Sequence, residues 1–239
     1  MRFYFIRHGQ SINNAIFDAT GRRDMRCPDP GLTVVGKQQA HLLAAFIRAK
    51  DAEAGCNERV IQRDYFSFTH LYTSLTIRSV QTGTAISGDL KVPLIAWPEI
   101  FETGGIYLED PASGELRGLP GKTRSFFQRN YRRLILPESL TNEGWWNRPY
   151  ETEEEWLPRA KKVLQTLLEQ HGNTDDRVAI ISHGGFYMQL MRAIFEIKGE
   201  KIGFSIFNTG VSCIDFSPDG SANLIYHNRT DHLPERLLT

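Results

Sequence analysis

Short apolar runs alternate along the chain with amphipathic stretches. Two runs are almost wholly apolar, Phe3–Ile6 near the start and Val178–Ile181 near the end. Continuous apolar runs of this length indicate buried strands. Weaker segments predict four more strands, of which the last two form a hairpin around Pro218-Asp219-Gly220: His70–Thr73, Val92–Ile95, Val211–Phe216 and Ala222–Asn228.

Four stretches between these runs carry apolar residues at helical spacing. Thr33 is a candidate N-cap for the first, and Thr152 with Glu155 is a candidate capping box for the third. Gly88 is a candidate stop for the second, because glycine readily adopts the left-handed conformation that ends helices. The predicted helices are Leu32–Arg48, Ser74 to about Ile86, Thr152 to about His171, and Phe186–Phe195 after the sequence SHGG.

Strands that alternate with long helices are typical of a mostly parallel sheet covered on both faces. We therefore expect an α/β fold, a three-layer α/β/α sandwich formed by a single domain over residues 1–239. Periodicity fades between residues 103 and 150, a segment rich in Gly, Arg, Pro and Trp. This segment is predicted to be an insertion of short helices and loops that caps the sheet and its active site.

Composition restricts the function classes. The chain has 28 basic and 28 acidic side chains, a balance that disfavours nucleic acid or an anionic membrane as the main partner. No apolar run approaches the roughly 18 residues of a membrane span. Three scattered cysteines fit a reducing compartment, and Arg7 leaves no room before it for a targeting segment, so a cytoplasmic location is expected.

Polar side chains with chemical potential follow three of the predicted strands. Arg7-His8-Gly9 ends the first, Ser74 and Arg78 follow the second, and Ser182-His183-Gly184-Gly185 follows the run at Val178–Ile181. In open α/β sheets, ligands bind outside the carboxyl ends of the strands. We therefore expect two histidines and two arginines to face one crevice.

This set of side chains selects an anion. The planar guanidinium of arginine holds two oxygens of a phosphate and repels a metal cation. The HExxH spacing, the Walker A sequence and the GxGxxG loop are all missing from the sequence. The arginines also disfavour a protonated imidazole, which keeps His8 able to attack a phosphoryl group. No metal and no cofactor are expected.

Several motifs carry a family resemblance. RHGQSINN resembles the RHG(E/Q)SxxN signature of the histidine phosphatase superfamily, and DPGLTVVGKQQA, SLTIRSVQT, SHGG, FNTGVS and HNRTDHLP resemble its later motifs. The resemblance implies that His8 is the nucleophile that becomes phosphohistidine, with Arg7, Arg78 and His183 completing the phosphate pocket. By the same resemblance Asn14 hydrogen-bonds the phosphate oxygens.

Two further residues near these motifs are substrate-binding candidates. The backbone N–H of Gly184, near the start of a helix, is expected to add a donor and the positive end of the helix dipole. Gln10, inside the first motif, is the second candidate.

The resemblance also requires an acid for the leaving group, and two glutamates in WPEIFETGGIY compete for that role. Glu102 fits the E-x-G-G form of some branches of the superfamily. Glu99 fits the commoner E-x-x-x-G form less well, because its next glycine is five residues away. Glu102 is therefore favoured, and the other glutamate is expected to be a solvated surface carboxylate.

The insertion leaves two questions open. One is whether its basic side chains form a solvated face or bind a second acidic group of the substrate: Arg117, Lys122, Arg124, Arg129, Arg132 and Arg133. The other is whether Trp145 and Trp146 line the pocket or pin the insertion to the domain.

The expected function is a metal-independent phosphomonoesterase that acts on a small phosphorylated metabolite. A cofactor-dependent phosphoglycerate mutase is the first alternative, although no RRxYDxPP-like stretch is present. A regulatory module that binds phosphoryl groups without turnover is the second. The physiological substrate and the oligomeric state stay open, with a homodimer as one option.

Overall fold

The computed structural model describes residues 1–22, 26–56, 65–110, 112–199 and 201–239. Within these ranges the strands are β1 (Arg2–Arg7), β2 (His70–Thr73), β3 (Leu94–Ala96), β4 (Tyr107–Glu109), β5 (Leu116–Gly118), β6 (Leu134–Ile135), β7 (Arg177–Ser182), β8 (Val211–Phe216) and β9 (Ala222–Arg229). The α-helices are α1 (Ile12–Thr20), α2 (Val34–Cys56), α3 (Ile77–Leu90), α4 (Arg124–Asn130), α5 (Glu153–His171) and α6 (Gly184–Ile194). A 3-10 turn spans Glu235–Leu237.

In the described part of the chain, seven strands form one sheet in the order β6-β3-β2-β7-β1-β8-β9. The strands from β6 to β1 run parallel, β8 is antiparallel to β1, and β9 is antiparallel to β8. The sheet is therefore mostly parallel, as predicted, and the predicted β8–β9 hairpin is confirmed.

Alternate residues of the central strands enter two separate cores. Tyr4 and Ile6 of β1 pack with residues of α2 and α3 on one face. Phe3 and Phe5 pack with residues of α5 and α6 on the other. Because side chains of a strand alternate between faces, a strand buried on both sides reads as a continuous apolar run. The three-layer α/β/α prediction is confirmed.

Helix boundaries differ from the prediction at α3. This helix begins at Ile77 rather than Ser74, and it continues through Gly88 to Leu90. The carboxylate of Asp29 accepts a hydrogen bond from the Ile77 backbone N–H at 2.9 Å and so stabilises the later start. Lys91 ends the helix in the left-handed conformation at φ 61°, so the predicted stop at Gly88 is wrong.

The other predicted helices begin within two residues of the observed ones, but α2 continues to Cys56 and not only to Arg48 as predicted. Thr33 caps α2, with its hydroxyl accepting from the Gly36 N–H at 3.0 Å, and the capping box of Thr152 and Glu155 begins α5. The third strand shifts slightly, to Leu94–Ala96. No described helix has both the length and the apolar character needed to cross a membrane.

The insertion at 103–150 is more ordered than predicted. It contains the hairpin of β4 and β5 and the short helix α4, and its strand β6 pairs with β3 at the edge of the main sheet. Trp145 and Trp146 are buried, and both rings contact Phe101. The tryptophans therefore pin the insertion to the domain.

Candidate active site

Three neighbouring strands deliver the candidate catalytic side chains to one edge of the sheet. β1 pairs with β7, and β7 pairs with β2, all in parallel. Arg7 is the last residue of β1 and His8 follows it, while His183 is the N-cap of α6 directly after β7. Arg78 is the second residue of α3, just after β2. The ring centroids of His8 and His183 lie 5.0 Å apart.

The hydrogen bonds of His8 fix its tautomer. Nδ1 lies 2.7 Å from the carbonyl oxygen of Gly9, which can only accept, so Nδ1 carries the proton. Nε2 lies 3.1 Å from Nε of Arg78, which can only donate, so Nε2 keeps its lone pair. Burial, followed by the positive charges of Arg78 and Arg7, holds the pKa of His8 well below its usual value. The imidazole is therefore neutral and nucleophilic at Nε2.

His183 is fully buried and lies beside the ring of His8. Its Nε2 is within hydrogen-bond distance of three hydroxyls, those of Ser74, Thr76 and Ser79, at 3.0 to 3.4 Å. Burial, and then the charge of Arg78, hold its pKa well below the usual value. Its Nδ1 is buried without a hydrogen-bond partner.

Arg7, like His183, has a buried nitrogen without a hydrogen-bond partner. One end of its guanidinium donates from Nη1 to the carbonyl oxygen of Ile206 at 2.7 Å, whereas Nε is buried without a partner. Burial lowers the pKa of Arg7, and the charge of Glu102 opposes this. An unpaired buried donor costs free energy, about 1–3 kcal/mol, which a hydrogen bond to a bound anion would offset.

A cleft of about 370 Å³ opens onto these groups. Arg7, His8 and Arg78 line its inner end. Its other lining residues come mainly from α1, the loop after it and the segment that begins the insertion: Ser11, Asn13, Asn14, Ile16, Phe17, Arg22, Arg26, Glu102, Thr103, Tyr107 and Gly185. The volume suits a small metabolite.

Close backbone contact holds the loop that carries His8. A Cβ at Gly9 would lie 2.5 Å from the carbonyl oxygen of Gly36, and a Cβ at Gly36 would lie 2.0 Å from that of Gln10. The two backbone segments can lie this close because both positions are glycine and carry no Cβ. The hydroxyl of Thr82 accepts from the Gly9 N–H at 3.1 Å, and the amide of Asn208 donates to the His8 carbonyl oxygen at 2.9 Å. Asn208 was not among the predicted site residues, although it belongs to the FNTGVS motif.

The two candidate acids have different positions. Glu102 lines the cleft, and its Oε1 accepts from the backbone N–H of Thr103 at 2.9 Å and of Phe186 at 3.1 Å. Phe186 lies in the first turn of α6, so this carboxylate lies at the positive end of that helix. Glu99 is outside the cleft, 3.8 Å from a guanidinium nitrogen of Arg148. The geometry therefore favours Glu102.

The predicted substrate-binding residues have mixed positions. Asn14 lines the cleft, while its Oδ1 accepts from the backbone N–H and hydroxyl of Ser11 and so caps α1. Gly184 begins α6 beside Arg7. Gln10 does not line the cleft, and its side-chain oxygen accepts from the Thr33 hydroxyl at 2.7 Å. Its substrate-binding role stays a prediction that this contact does not favour.

The basic side chains of the insertion lie elsewhere. Of the residues that line the cleft in the described ranges, none belongs to the basic set from Arg117 to Arg133. Arg124 instead donates to the carbonyl oxygens of Pro137 and Leu140 at 2.8 and 3.1 Å. The cations at the outer end of the cleft are Arg22 and Arg26, which the sequence analysis missed. Both arginines lie between the RHGQSINN and DPGLTVVGKQQA motifs, and this position could have marked them as candidate site residues.

One cluster of potential metal ligands lies away from this cleft. In the described ranges, His70, His171 and Asp176 are the one such group of three. They lie near the amino ends of β2 and β7, opposite to His8. Asp176 accepts from Nδ1 of His171 at 2.7 Å, and Nε2 of His171 lies 3.2 Å from the hydroxyl of Tyr72. This group takes no part in the phosphate pocket.

The family profile of the histidine phosphatase superfamily, branch 1, matches residues 3–229. This chain belongs to the histidine phosphatase superfamily. No curated protein matches it.

Solved structures of other histidine phosphatase folds resemble this member of the superfamily over nearly its whole length. Phosphoserine phosphatase of Entamoeba histolytica in complex with 3-phosphoglyceric acid is 21% identical, with a TM-score of 0.59 and coverage of 98% of this chain and 99% of that chain. The ecdysone phosphate phosphatase of Bombyx mori with tungstate is 15% identical, with a TM-score of 0.64 and coverage of 98% and 95%.

A mycobacterial glucosyl-3-phosphoglycerate phosphatase in complex with VO3 is similar at 14% identity, with a TM-score of 0.57 and coverage of 96% of this chain and 99% of that chain. At these identities the similarity establishes the shared fold. Membership of the histidine phosphatase superfamily supports phosphatase activity for this chain.

Proposed function

We propose that the protein is a metal-independent phosphomonoesterase that transfers the phosphoryl group of a small phosphorylated metabolite first to His8 and then to water. One observation carries this proposal, the unprotonated Nε2 of His8 beside Arg78 at the inner end of the cleft. The known activities of the structural neighbours agree with it, since all three act on phosphate esters.

In the first step the lone pair of His8 Nε2 attacks phosphorus and the bond between phosphorus and the ester oxygen breaks. Arg7 and Arg78 stabilise the charge on the equatorial oxygens of a loose transition state. Glu102 gives its proton to the departing alkoxide. The products of this step are the free alcohol, phosphohistidine at His8 and a Glu102 carboxylate.

In the second step water attacks the phosphohistidine. The Glu102 carboxylate takes a proton from that water as the new oxygen–phosphorus bond forms and the nitrogen–phosphorus bond breaks. The electron pair of the broken bond returns to Nε2 of His8. Inorganic phosphate leaves, and both residues regain their starting protonation states.

The charge of the site supports the proposal of metal independence. The guanidinium groups of Arg7 and Arg78 line the cleft beside His8, and they would supply the positive charge that a metal ion contributes in other phosphatases. Activity should therefore persist in EDTA. Activity that is lost on chelation and restored by zinc would contradict this mechanism.

Release of inorganic phosphate from phenyl phosphate tests the proposal. We expect release by the wild-type protein and none by His8→Ala. Denaturation of the protein during turnover, without acid, should trap a phosphorylated His8, detectable by mass spectrometry. Isomerisation of a phosphoglycerate without net phosphate release would instead assign a mutase, and tight phosphate binding without turnover would assign a binding module.

A further inference from the structure

The charge of the cleft exceeds what a simple phosphate ester needs. Four arginines line it, Arg7, Arg22, Arg26 and Arg78, against a single acidic lining residue in the described ranges, Glu102. A phosphate monoester carries about −1.5 to −2 charges at neutral pH. With His8 neutral, the lining side chains taken by themselves keep a net positive charge beside a dianionic phosphate, while the charges of Asp18 and Asp29, which lie outside the lining, also act on Arg7 and Arg78.

The two arginines beyond the phosphate pocket, Arg22 and Arg26, lie at the outer end of the cleft. Arg7 and Arg78 surround the phosphate pocket through their contacts with Ile206 and His8. Arg22 and Arg26 follow α1, on the loop that leads to α2. Arg26 is nonetheless close enough for its charge to lower the pKa of Arg78. Both pairs of arginines line the same cleft.

Arg26 is held in position by the insertion. Its guanidinium carbon lies 4.1 Å from the centroid of the Tyr107 ring, and Nη1 donates to the Tyr107 hydroxyl. The ring of Tyr150 packs edge-on against that of Tyr107, with ring centroids 4.8 Å apart. A guanidinium stacked on an aromatic ring has lost much of its conformational freedom before a ligand binds.

Arg26 also has an unsatisfied donor. Its Nε is buried and has no hydrogen-bond partner. The same is true of Nε of Arg7 at the inner end of the cleft. Two buried, unpaired guanidinium donors in one cleft each gain a partner if the ligand carries two anionic groups.

We propose that the substrate is a phosphomonoester with a second anionic group, a carboxylate or a second phosphoryl group, which Arg26 binds with support from Arg22. This inference rests on the proposed function, because it assumes that the phosphoryl group to be transferred occupies the inner end. In this proposal the second anionic group binds to arginines of the α1–α2 loop and not to those of the insertion. The insertion contributes Tyr107, which holds Arg26 in position.

The test compares matched substrates with one and with two anionic groups. Phenyl phosphate is paired with 3-carboxyphenyl phosphate, which adds a carboxylate, and propyl phosphate is paired with 1,3-propanediol bisphosphate, which adds a second phosphoryl group. We expect kcat/KM to be at least about tenfold higher for 3-carboxyphenyl phosphate than for phenyl phosphate, the gain of one charge-assisted hydrogen bond. The value of kcat/KM for the bisphosphate shows whether a phosphoryl group can replace the carboxylate as the second anionic group.

Arg26→Gln should reduce kcat/KM for 3-carboxyphenyl phosphate about tenfold more than for phenyl phosphate. Arg26→Lys should recover part of the difference, because it retains the charge but not the planar fork. Arg129→Gln is the matched control, since Arg129 lies outside the cleft and donates to a carbonyl of its own helix. Arg22→Gln provides a second variant should Arg26→Gln fold poorly in thermal denaturation.

Calorimetric binding to His8→Ala separates this inference from the proposed function. If wild type releases no phosphate, the proposed function fails, while preferential binding of 3-carboxyphenyl phosphate that is lost in His8→Ala/Arg26→Gln would still support the second anion site. Equal losses on both aryl phosphates, or no preference for the carboxylated ligand in turnover and binding, would overturn the inference.

Discussion

Arg78 donates a hydrogen bond from Nε to Nε2 of His8 at 3.1 Å. In the proposed mechanism the same lone pair attacks phosphorus, so this hydrogen bond has to break when substrate binds. The guanidinium would then pair with phosphoryl oxygens. In that mechanism Arg78 holds the nucleophile in the required tautomer before the reaction and stabilises charge during it.

This dual role predicts the effect of Arg78→Lys. Lysine keeps the charge but loses the planar pair of donors, so kcat/KM for phenyl phosphate should fall about 10²- to 10³-fold. Steady-state kinetics measure the change. Arg133→Lys, at an exposed position of the insertion, should behave as wild type. Undiminished activity of Arg78→Lys would show that charge alone suffices.

The low pKa of His8 predicts how the free enzyme responds to acid. Burial and two arginines disfavour the imidazolium, so His8 stays neutral as the pH falls through 6.5, the usual pKa of histidine. NMR of 13C-labelled histidine in the unliganded protein should show no titration of His8 between pH 6 and 8, about the range in which an unperturbed histidine titrates. Assignment comes from the spectrum of His8→Ala. A His8 midpoint near 6.5 would contradict the electrostatic account.

The position of Glu102 predicts a dependence on the leaving group. Glu102→Gln keeps an oxygen that can accept from the Phe186 N–H but cannot donate the catalytic proton. Hydrolysis of an alkyl phosphate should fall about 10²- to 10⁴-fold, because an alkoxide needs that proton. Loss on 4-nitrophenyl phosphate should be much smaller, since nitrophenolate leaves unprotonated. Glu99→Gln is the control, and a larger effect there would reverse the assignment of the acid.

Two helical glycines, Gly36 and Gly88, should respond in opposite ways to substitution by alanine, because only Gly36 is in close contact with another part of the backbone. A methyl group at Gly36 meets the Gln10 carbonyl oxygen at 2.0 Å, so Gly36→Ala should lower the free energy of unfolding by about 2 kcal/mol and reduce activity. Gly88 is also helical, but a methyl group there meets nothing within 4 Å. Gly88→Ala should raise the free energy of unfolding by about 0.5–1 kcal/mol. Denaturant unfolding measures both, and equal effects would refute the steric argument.

A buried histidine near the carboxyl-terminal segment predicts part of the acid sensitivity. Burial lowers the pKa of His232 from 6.5 to about 4. The unfolded chain thus binds a proton at a higher pH than the native protein does. The contribution of this neutral side chain is present above pH 6.5 and is lost as the pH falls toward 4, by at most about 3 kcal/mol.

His232→Gln removes the titration while keeping a donor for the Thr209 hydroxyl, which lies 3.1 Å from Nε2 of His232. Chemical unfolding of both proteins at pH 7, 5.5 and 4.5 isolates the effect. The variant should lose less stability than wild type over this interval. Parallel curves would show that His232 does not carry the difference.

Much of the fold could be predicted because its signals are local. The continuous apolar runs of β1 and β7 reflect burial on both faces, and the capping box of Thr152 and Glu155 lies within four residues. The start of α3 was missed because Asp29, which caps it, is 48 residues away in sequence. The edge strand β6 was missed because two residues carry no periodicity.

The residues of the candidate site also fall into those that local sequence signals predicted and those that they did not. The strand-end rule and the family motifs indicated where Arg7, His8, Arg78 and His183 should meet, because the parallel pairing of β1, β7 and β2 brings their ends together. The outer arginines escaped notice since Arg26 meets its partner Tyr107 across 81 residues of sequence. Such a contact is determined by how the insertion packs, which no short pattern contains.

Packing of Trp145 against Trp146, with ring centroids 5.8 Å apart and planes at 76°, gives the insertion an optical signature. Two indoles this close couple as excitons and produce a circular-dichroism couplet that isolated tryptophans lack. Both rings rest on Phe101, the residue next to Glu102. Detachment of this segment would therefore abolish the couplet while the helical signal of the sandwich persists, so spectroscopy can follow movement around the proton donor without an added label.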